Sequence, residues 1–423
     1  VGLLRFAPFR KERIRQNFET PPPDAIFCFL LLSLIFAPGI MALNAFVLQL
    51  GGDPAYIALE NRLAASPKKP TPASFLDKTF QSTLETALED RIPLKSEAAL
   101  ASAAMQRLSI AASARLCNFK AYPTYYGSQH AYESERDAVI PFPAPITADL
   151  QESLTYSTRA MNSVAADNPE IEVFYCEPPH QAYMPSNPLL PLFSHQANDR
   201  PVGQIIEDQL SPCITAVKLD PTDPPAGTSY RTEHHWSMTE AYTSYRYILL
   251  AMEASATPVD PEREIQFDAP FYGSYARLGL CTTDKPDVIS DIVYPESNLH
   301  IEIDGAEKTL EDLRHRSLYS NREWDPERFT LRYEEYYHWN VGLIAITNEG
   351  LDSDRTLLIV GDSYSNPIER LFAENYKTVY CIDPRYYQET VPSFLQTHHV
   401  DDLLFLLCPP TLALPNVQAS IEG

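Results

Sequence analysis

The chain alternates between short apolar runs and stretches of helical spacing, most clearly in its last third. Leu357-Leu358-Ile359-Val360 is an unbroken apolar run, the pattern of a strand buried on both faces. Gly361-Asp362-Ser363 follows as a tight turn, and Pro367 stands where a helix over 367–375 would begin. Residues 378–382 then read as a strand. The same rhythm occurs earlier, with helices expected over 149–166, 201–210 and 237–252 and strands over 171–176 and 214–219. Strands that alternate with helices predict an α/β domain on a parallel sheet, its neighbouring strands joined by right-handed crossovers.

Other stretches differ in character. Residues 25–50 are mostly apolar, about the length of a bilayer-crossing helix. The segment before them, 1–24, carries Arg5, Arg10, Lys11, Arg13 and Arg15. A basic flank holds that side in the cytoplasm. The pattern therefore predicts a single-pass signal anchor with an extracytoplasmic body, in preference to a cleaved signal peptide or a buried core helix. Residues 51–114 read as a helical linker region. In it, Phe75, Leu76, Phe80, Leu84 and Leu88 mark an amphipathic helix near 74–89, and an alanine-rich helix follows over 96–114. One or two short strands are expected over 116–126, and the α/β domain over 115–408. Within it, residues 256–350 break the rhythm. Alternation over 300–305 ends in Asp304-Gly305, a two-residue hairpin turn, so a β-rich insertion is expected here, lying over one face of the sheet as a substrate lid. Residues 409–423 read as a frayed tail.

Charge and cysteine usage narrow the functional classes. The net charge is −23, which disfavours nucleic acid as a partner. The seven cysteines form no CxxC pair and have no histidine at zinc spacing, so neither a metal nor a cofactor is expected. They read as small core residues, with any disulfide pairing left open.

Two runs carry candidate chemistry. A strand, tight turn and helix around Ser363 would lift its hydroxyl above the sheet edge and leave backbone N–H groups beside it to hold an oxyanion. An ordinary capped loop has the same composition. The second run is Arg231-Thr232-Glu233-His234-His235-Trp236-Ser237, in which Ser237 and Glu240 form a capping box that places the histidines just before a helix. Glu233 and His235 can act as a carboxylate that fixes an imidazole and a base that takes a serine's proton. His234 can pack or cap, and Trp236 reads as a core anchor. Arg277 is a candidate for steadying an anionic or sugar substrate. Asn366 could donate to an oxyanion or cap the helix over 367–375. Tyr364, Tyr386 and Tyr387 are candidates for lining a carbohydrate cleft.

These motifs resemble, in order, those of the bacterial DHHW-motif protein family, which is similar to the alginate O-acetyltransferases of the SGNH hydrolase superfamily. The matching runs are Glu60-Asn61-Arg62, Glu89-Asp90-Arg91-Ile92-Pro93, Tyr230 to Trp236, Phe271 to Arg277, Asp362-Ser363-Tyr364 and Asp383-Pro384-Arg385-Tyr386-Tyr387. The resemblance implies a parallel-sheet, SGNH-hydrolase-like domain of flavodoxin-like three-layer form. It implies Ser363 as nucleophile, His235 as base and Glu233 as orienter, with Asp362, Tyr364, Asn366, Arg277 and His234 around them. The expected activity is O-acyl (acetyl) transfer or ester hydrolysis on an envelope or secreted polysaccharide, with an acyl donor and a membrane acyl-transfer partner. The alternative is a non-catalytic envelope protein that binds glycan or an assembly partner through the same cleft. One departure stands out: the family's first aspartate is Glu233 here.

Overall fold

The computed structural model describes residues 56–423, except for 58, 61, 67–70, 185, 194–201, 220–228, 254, 314–332, 334, 335 and 339. The described residues fall into two compact units, one built on Leu63–Pro93 and the other on Leu94–Gly423 with Ile57–Arg62.

In the first unit the helix expected near 74–89 is two helices, α1 (Pro72–Leu76) and α2 (Thr79–Glu89). Lys78, in the left-handed region at φ 66°, breaks them apart. Thr71 and Ser74 close a reciprocal capping box on α1. After α2, Asp90 accepts from the Ala65 N–H at 2.7 Å, and Arg91 donates to the Ala65 and Ala87 carbonyls.

The second unit begins with α3 (Lys95–Cys117), longer than expected at both ends. The strands expected over 116–126 do not form. A hairpin follows instead, β1 (His130–Glu133) with β2 (Ala138–Pro141). The α/β alternation then appears where it was read: α4 (Ala148–Asp167), β3 (Glu172–Cys176), α5 (Val202–Glu207), β4 (Ile214–Val217) and α6 (Met238–Met252). Next come β5 (Arg263–Phe271), α7 (Ser274–Gly279), β6 (Asp287–Val293), β7 (Leu299–Ile303), β8 (Ala306–Lys308) and β9 (Leu343–Asn348). The chain finishes with β10 (Thr356–Gly361), α8 (Glu369–Phe372), β11 (Thr378–Ile382), α9 (Val391–Thr397), β12 (Asp402–Leu406), α10 (Pro409–Leu412) and α11 (Pro415–Glu422).

Eight strands form the main sheet in the order β8-β7-β9-β11-β10-β12-β3-β4. From β11 to β4 all neighbours are parallel, whereas β9, β7 and β8 add antiparallel pairs at one edge. The fold is α/β, but the expected parallel sheet is corrected to a mixed one. The stretch 256–350 explains the difference. Its hairpin forms as read, with Asp304 at φ 48° and Gly305 at φ 75°, yet β7, β8 and β9 extend the sheet. Among the described residues of this stretch, only β5 and β6 make a separate antiparallel pair.

Alternate side chains of the central strands feed two cores. Leu357 and Ile359 of β10 and Leu404 and Leu406 of β12 pack toward α6 and β6. Leu358, Val360, Leu403 and Phe405 pack toward α4, α5, α9 and α11. The segment expected to fray is part of this second core, because Leu412, Val417 and Ile421 of α10 and α11 are fully buried in it.

The expected membrane anchor is also corrected. Among the described residues no helix is long and apolar enough to cross a membrane. The longest, α3, is alanine-rich and carries Lys95, Glu97, Arg107 and Arg115. Residues 25–50 lie outside the described residues, so the single-pass localisation and the partnership with a membrane through an N-terminal helix have no structural support. Among the described cysteines none is bonded to another. Cys117 and Cys213 are exposed, and Cys176, Cys281, Cys381 and Cys408 are buried as core residues.

Candidate active site

The site lies at the C-terminal end of the parallel strands, where α/β sheets gather their loops. β10 ends at Gly361, and a Cβ there would stand 2.7 Å from Ser365 Oγ, so the chain can double back only through a glycine. Asp362 ties the turn down. Its carboxylate accepts from the Tyr364 N–H at 3.1 Å and from the Cys408 N–H, just past β12, at 2.9 Å. Ser365 N–H donates to the Asp362 carbonyl, and Ser365 Oγ lies 2.6 Å from Glu369 Oε1. These bonds fix the backbone on both sides of Ser363. The helix expected over 367–375 shortens to α8, and Asn366 does not cap it, since its amide donates to the His338 carbonyl at 3.4 Å.

The second half of the site comes from the loop between β4 and α6. Ser237 accepts from the Glu240 N–H, and the Glu240 carboxylate accepts from the Ser237 N–H, closing the capping box as read. This fixes the chain immediately after His235. His235 Nδ1 lies 3.0 Å from Glu233 Oε1, and its Nε2 lies 2.7 Å from Ser363 Oγ. The Glu233 carboxylate accepts a hydrogen bond from Nδ1–H, which keeps the proton on that nitrogen and leaves Nε2 to accept from the serine hydroxyl. Three residues from two separate runs of the sequence therefore meet in one hydrogen-bonded chain, and all three are buried.

Glu233 is held by more than its histidine. Its Oε2 accepts from the Ser274 N–H at 2.8 Å, and its Oε1 accepts from Ser274 Oγ at 3.0 Å and from the His234 N–H at 2.8 Å. His234 Nδ1 sits 2.5 Å from the same carboxylate. Gly273 makes room, because a Cβ there would come within 2.5 Å of Glu233 Oε2 and 2.8 Å of Glu233 Cα. The ligand atoms of Glu233, His234 and His235 lie within 4.8 Å of one another, a grouping that could hold a metal ion. Both Nδ1 atoms are already turned on one carboxylate oxygen, a hydrogen-bonding arrangement that a cation would have to dismantle.

Two aromatic residues complete the frame. Tyr333 stacks on the His235 ring with centroids 3.8 Å apart and planes 2° apart, and its hydroxyl donates to the Ser363 carbonyl at 3.1 Å. Sequence reasoning missed it, since an isolated tyrosine in an aromatic stretch carries no periodic signal. Tyr364 is buried, donates to the His234 carbonyl at 2.7 Å and meets Trp236 edge-on. It is a packing residue and not the lining of an open cleft. Trp236 is the core anchor expected.

Beside the histidines opens a cavity of about 480 Å³, lined by His234, His235, Trp236, Arg136, Arg231 and Asn187 among others. Arg277, Tyr386 and Tyr387 are not among its lining residues. Arg277 lies on α7, where its charge acts on His130. Tyr386 lies against the Arg385 guanidinium, and Tyr387 packs on Phe394. His180, after β3, was also missed. Burial first, then the charge of His234, lowers it to about 4.

The electrostatics suit a neutral base. Burial, reinforced by the charge of His234 and opposed by Glu233, lowers the His235 imidazole to about 4. For Glu233 burial acts upward, but the charges and hydrogen bonds of His234 and His235 outweigh it and hold the carboxyl well below its usual range. At neutral pH the pair is a carboxylate and an uncharged imidazole.

No family model matches the chain, and no curated protein matches it significantly. Solved structures do. A DHHW family protein from Eubacterium siraeum superposes with a TM-score of 0.53 at 16% identity, over 70% of this chain and 95% of its own. Bacillus cereus PatB1 carrying a sulfonyl adduct gives 0.53 at 14% identity, over 69% of this chain and 99% of its own. A second structure of PatB1 gives 0.50 at 16%, over 66% and 96%. At these identities the likeness is one of fold, and at that level it bears out the resemblance read from the motifs.

Proposed function

We propose that this protein transfers or hydrolyses O-acyl groups on a polysaccharide, with Ser363 as nucleophile. The observation that carries the reading is the bridging of Ser363 Oγ and Glu233 Oε1 by one buried imidazole, at 2.7 and 3.0 Å.

In the first step Ser363 Oγ attacks the acyl carbonyl while its proton passes to His235 Nε2. The imidazolium that forms is stabilised by Glu233. Among the described residues the Ser363 N–H donates to no acceptor, which leaves it available to the oxyanion. Expulsion of the leaving group, protonated by His235, gives an acyl-serine. A sugar hydroxyl or water, held in the cavity beside His234 and His235, then gives its proton to His235 and attacks the ester. Serine is restored, and the product is an acylated sugar or a free carboxylic acid. The cavity volume suits a sugar unit, and Arg136 and Arg231 in its lining supply polar contacts of the kind sugar hydroxyls use. The acyl group is an acetyl and the acceptor an envelope or secreted glycan on the strength of the motif resemblance.

The test is covalent. PatB1 has been seen with a sulfonyl adduct, so an arylsulfonyl fluoride is an apt probe for the same chemistry here. Wild type should gain one sulfonyl group by intact mass, localised to Ser363 by peptide mapping. Ser363→Ala should gain none, and His235→Ala should react at least about a hundredfold more slowly. A folded wild type that stays unlabelled, or an adduct that survives Ser363→Ala, would overturn the reading in favour of a glycan-binding protein without chemistry.

A further inference from the structure

The long helix α3 offers a second surface, independent of the chemistry above. On a helix of 3.6 residues per turn, Ala103 and Ala114 point to one side and are buried. On that side Arg107 donates to the Gly279 carbonyl, and Gln106 accepts from the Tyr126 N–H. These contacts lock the helix onto the α/β unit. The opposite side carries Ala98, Ala101, Met105, Leu108, Ala112 and Leu116, every one exposed, with Leu94 and Phe119 at its ends. Met105 is 70% exposed, Leu108 69% and Leu116 85%. Residues Ala98, Ala101, Met105, Leu108 and Ala112 follow the alternating three- and four-residue spacing of a helix–helix seam.

A solvated helix face is normally charged. This face has two charged residues, Glu97 and Arg115, one near each end and both on the same flank of the stripe. That placement is self-complementary. Laid antiparallel against a second copy, with the two-fold axis between Gln106 and Arg107, Met105 meets Leu108 and Ala101 meets Ala112. In an antiparallel pair like flanks face each other, so Glu97 of each copy faces Arg115 of the other, and Ser102 faces Ser109. In a parallel pair unlike flanks face each other, so the flank that carries Glu97 and Arg115 would lie against the flank of Ser102 and Ser109 and this pairing would be lost. The small residues at 98, 101 and 112 let the two backbones approach closely.

We infer that the exposed stripe of α3 is an isologous dimer interface, packed antiparallel against the same helix of a second copy. The helix is about 34 Å long, and one helix pair offers less than the roughly 800 Å² that each partner contributes to a standard interface. The dimer is therefore a reversible one.

Sedimentation of the full chain across a micromolar concentration series tests this. Wild type should show a monomer–dimer equilibrium. Leu108→Glu, at an exposed position, should leave thermal unfolding unchanged and weaken association by about tenfold or more. Glu97→Arg and Arg115→Glu should each weaken it, and the double swap should restore it. A wild type that stays monomeric, as it would if another segment of the chain covered the stripe, overturns the proposal. So does dimerisation untouched by Leu108→Glu, or a double swap that fails to recover.

Discussion

Glu233 shows how one extra methylene is absorbed. The carboxylate reaches His235 at 3.0 Å and the Ser274 N–H at 2.8 Å, and Gly273 gives it space that any side chain would fill. The neighbourhood is shaped to the longer residue. Glu233→Asp should therefore slow sulfonyl labelling of Ser363 by about tenfold, because a catalytic bond tolerates little misplacement. A rate that rises would show that glutamate is the defective residue. Gly273→Ala should be worse, by about a hundredfold, since its Cβ collides with the Glu233 backbone as well as its carboxylate. The same probe reads the base. His235 is lowered from an ordinary 6.5 to about 4, and only its neutral form accepts the serine proton. Labelling should stay level as pH falls from 8 to about 5 and drop as pH passes through about 4. An acid limb near 6.5 would mean that the imidazole is not held neutral by its surroundings.

At the scale of elements, two helix ends do unequal work. α6 starts with a full capping box, and that box fixes the backbone next to His235. Ser237→Ala should cost about 1 kcal/mol of stability and also slow labelling, a pairing that urea unfolding and the probe together would reveal. α8 is a single turn without a side-chain cap, and the residues before it are held by Asp362, Ser365 and Glu369 instead. The C-terminal helix α11 matters through its core face. Ile421→Ala should cost about 2–5 kcal/mol in the same unfolding assay, because Ile421 is fully buried. A loss below 1 kcal/mol would mean that the segment frays after all.

For the whole molecule, the buried titratable groups at the sheet's C-terminal end make stability depend on pH. Burial, and then the charge of Glu207, pushes Glu177 up from an ordinary 4.5 to about 7. The folded state thus keeps a proton that the unfolded chain releases. That contribution to stability is full below pH 4.5 and is lost as pH rises through 7. Glu177→Gln removes the loss. Its melting temperature should exceed that of wild type at pH 8, with the gap shrinking below pH 5. Buried His130 and half-buried His180 are both lowered to about 4, so they act in the other direction, destabilising the fold as pH falls from 6.5 toward 4.

Local physics by itself determined the α/β alternation, the Asp304-Gly305 turn, the α6 capping box and the two runs that carry Glu233, His235 and Ser363. Each of these is written in neighbouring residues: an apolar run long enough for a buried strand, two residues that tolerate positive φ, a serine three places before a glutamate. Tertiary structure decided what depends on partners far along the chain. β9 and β11 pair antiparallel because Leu343–Asn348 lies beside a strand more than thirty residues on, and no local pattern states direction. The residues from Pro409 onward become core because a two-sided sheet needs cover for Leu403 and Phe405, although their prolines resemble those of a loose end. Tyr333 reaches His235 across nearly a hundred residues, and Asp362 reaches Cys408 across 46. The chemistry-bearing residue types were legible because chemistry restricts them. The side chains that hold them in place were not, because many residue types can pack against a ring or accept an N–H, and only the fold selects which one does.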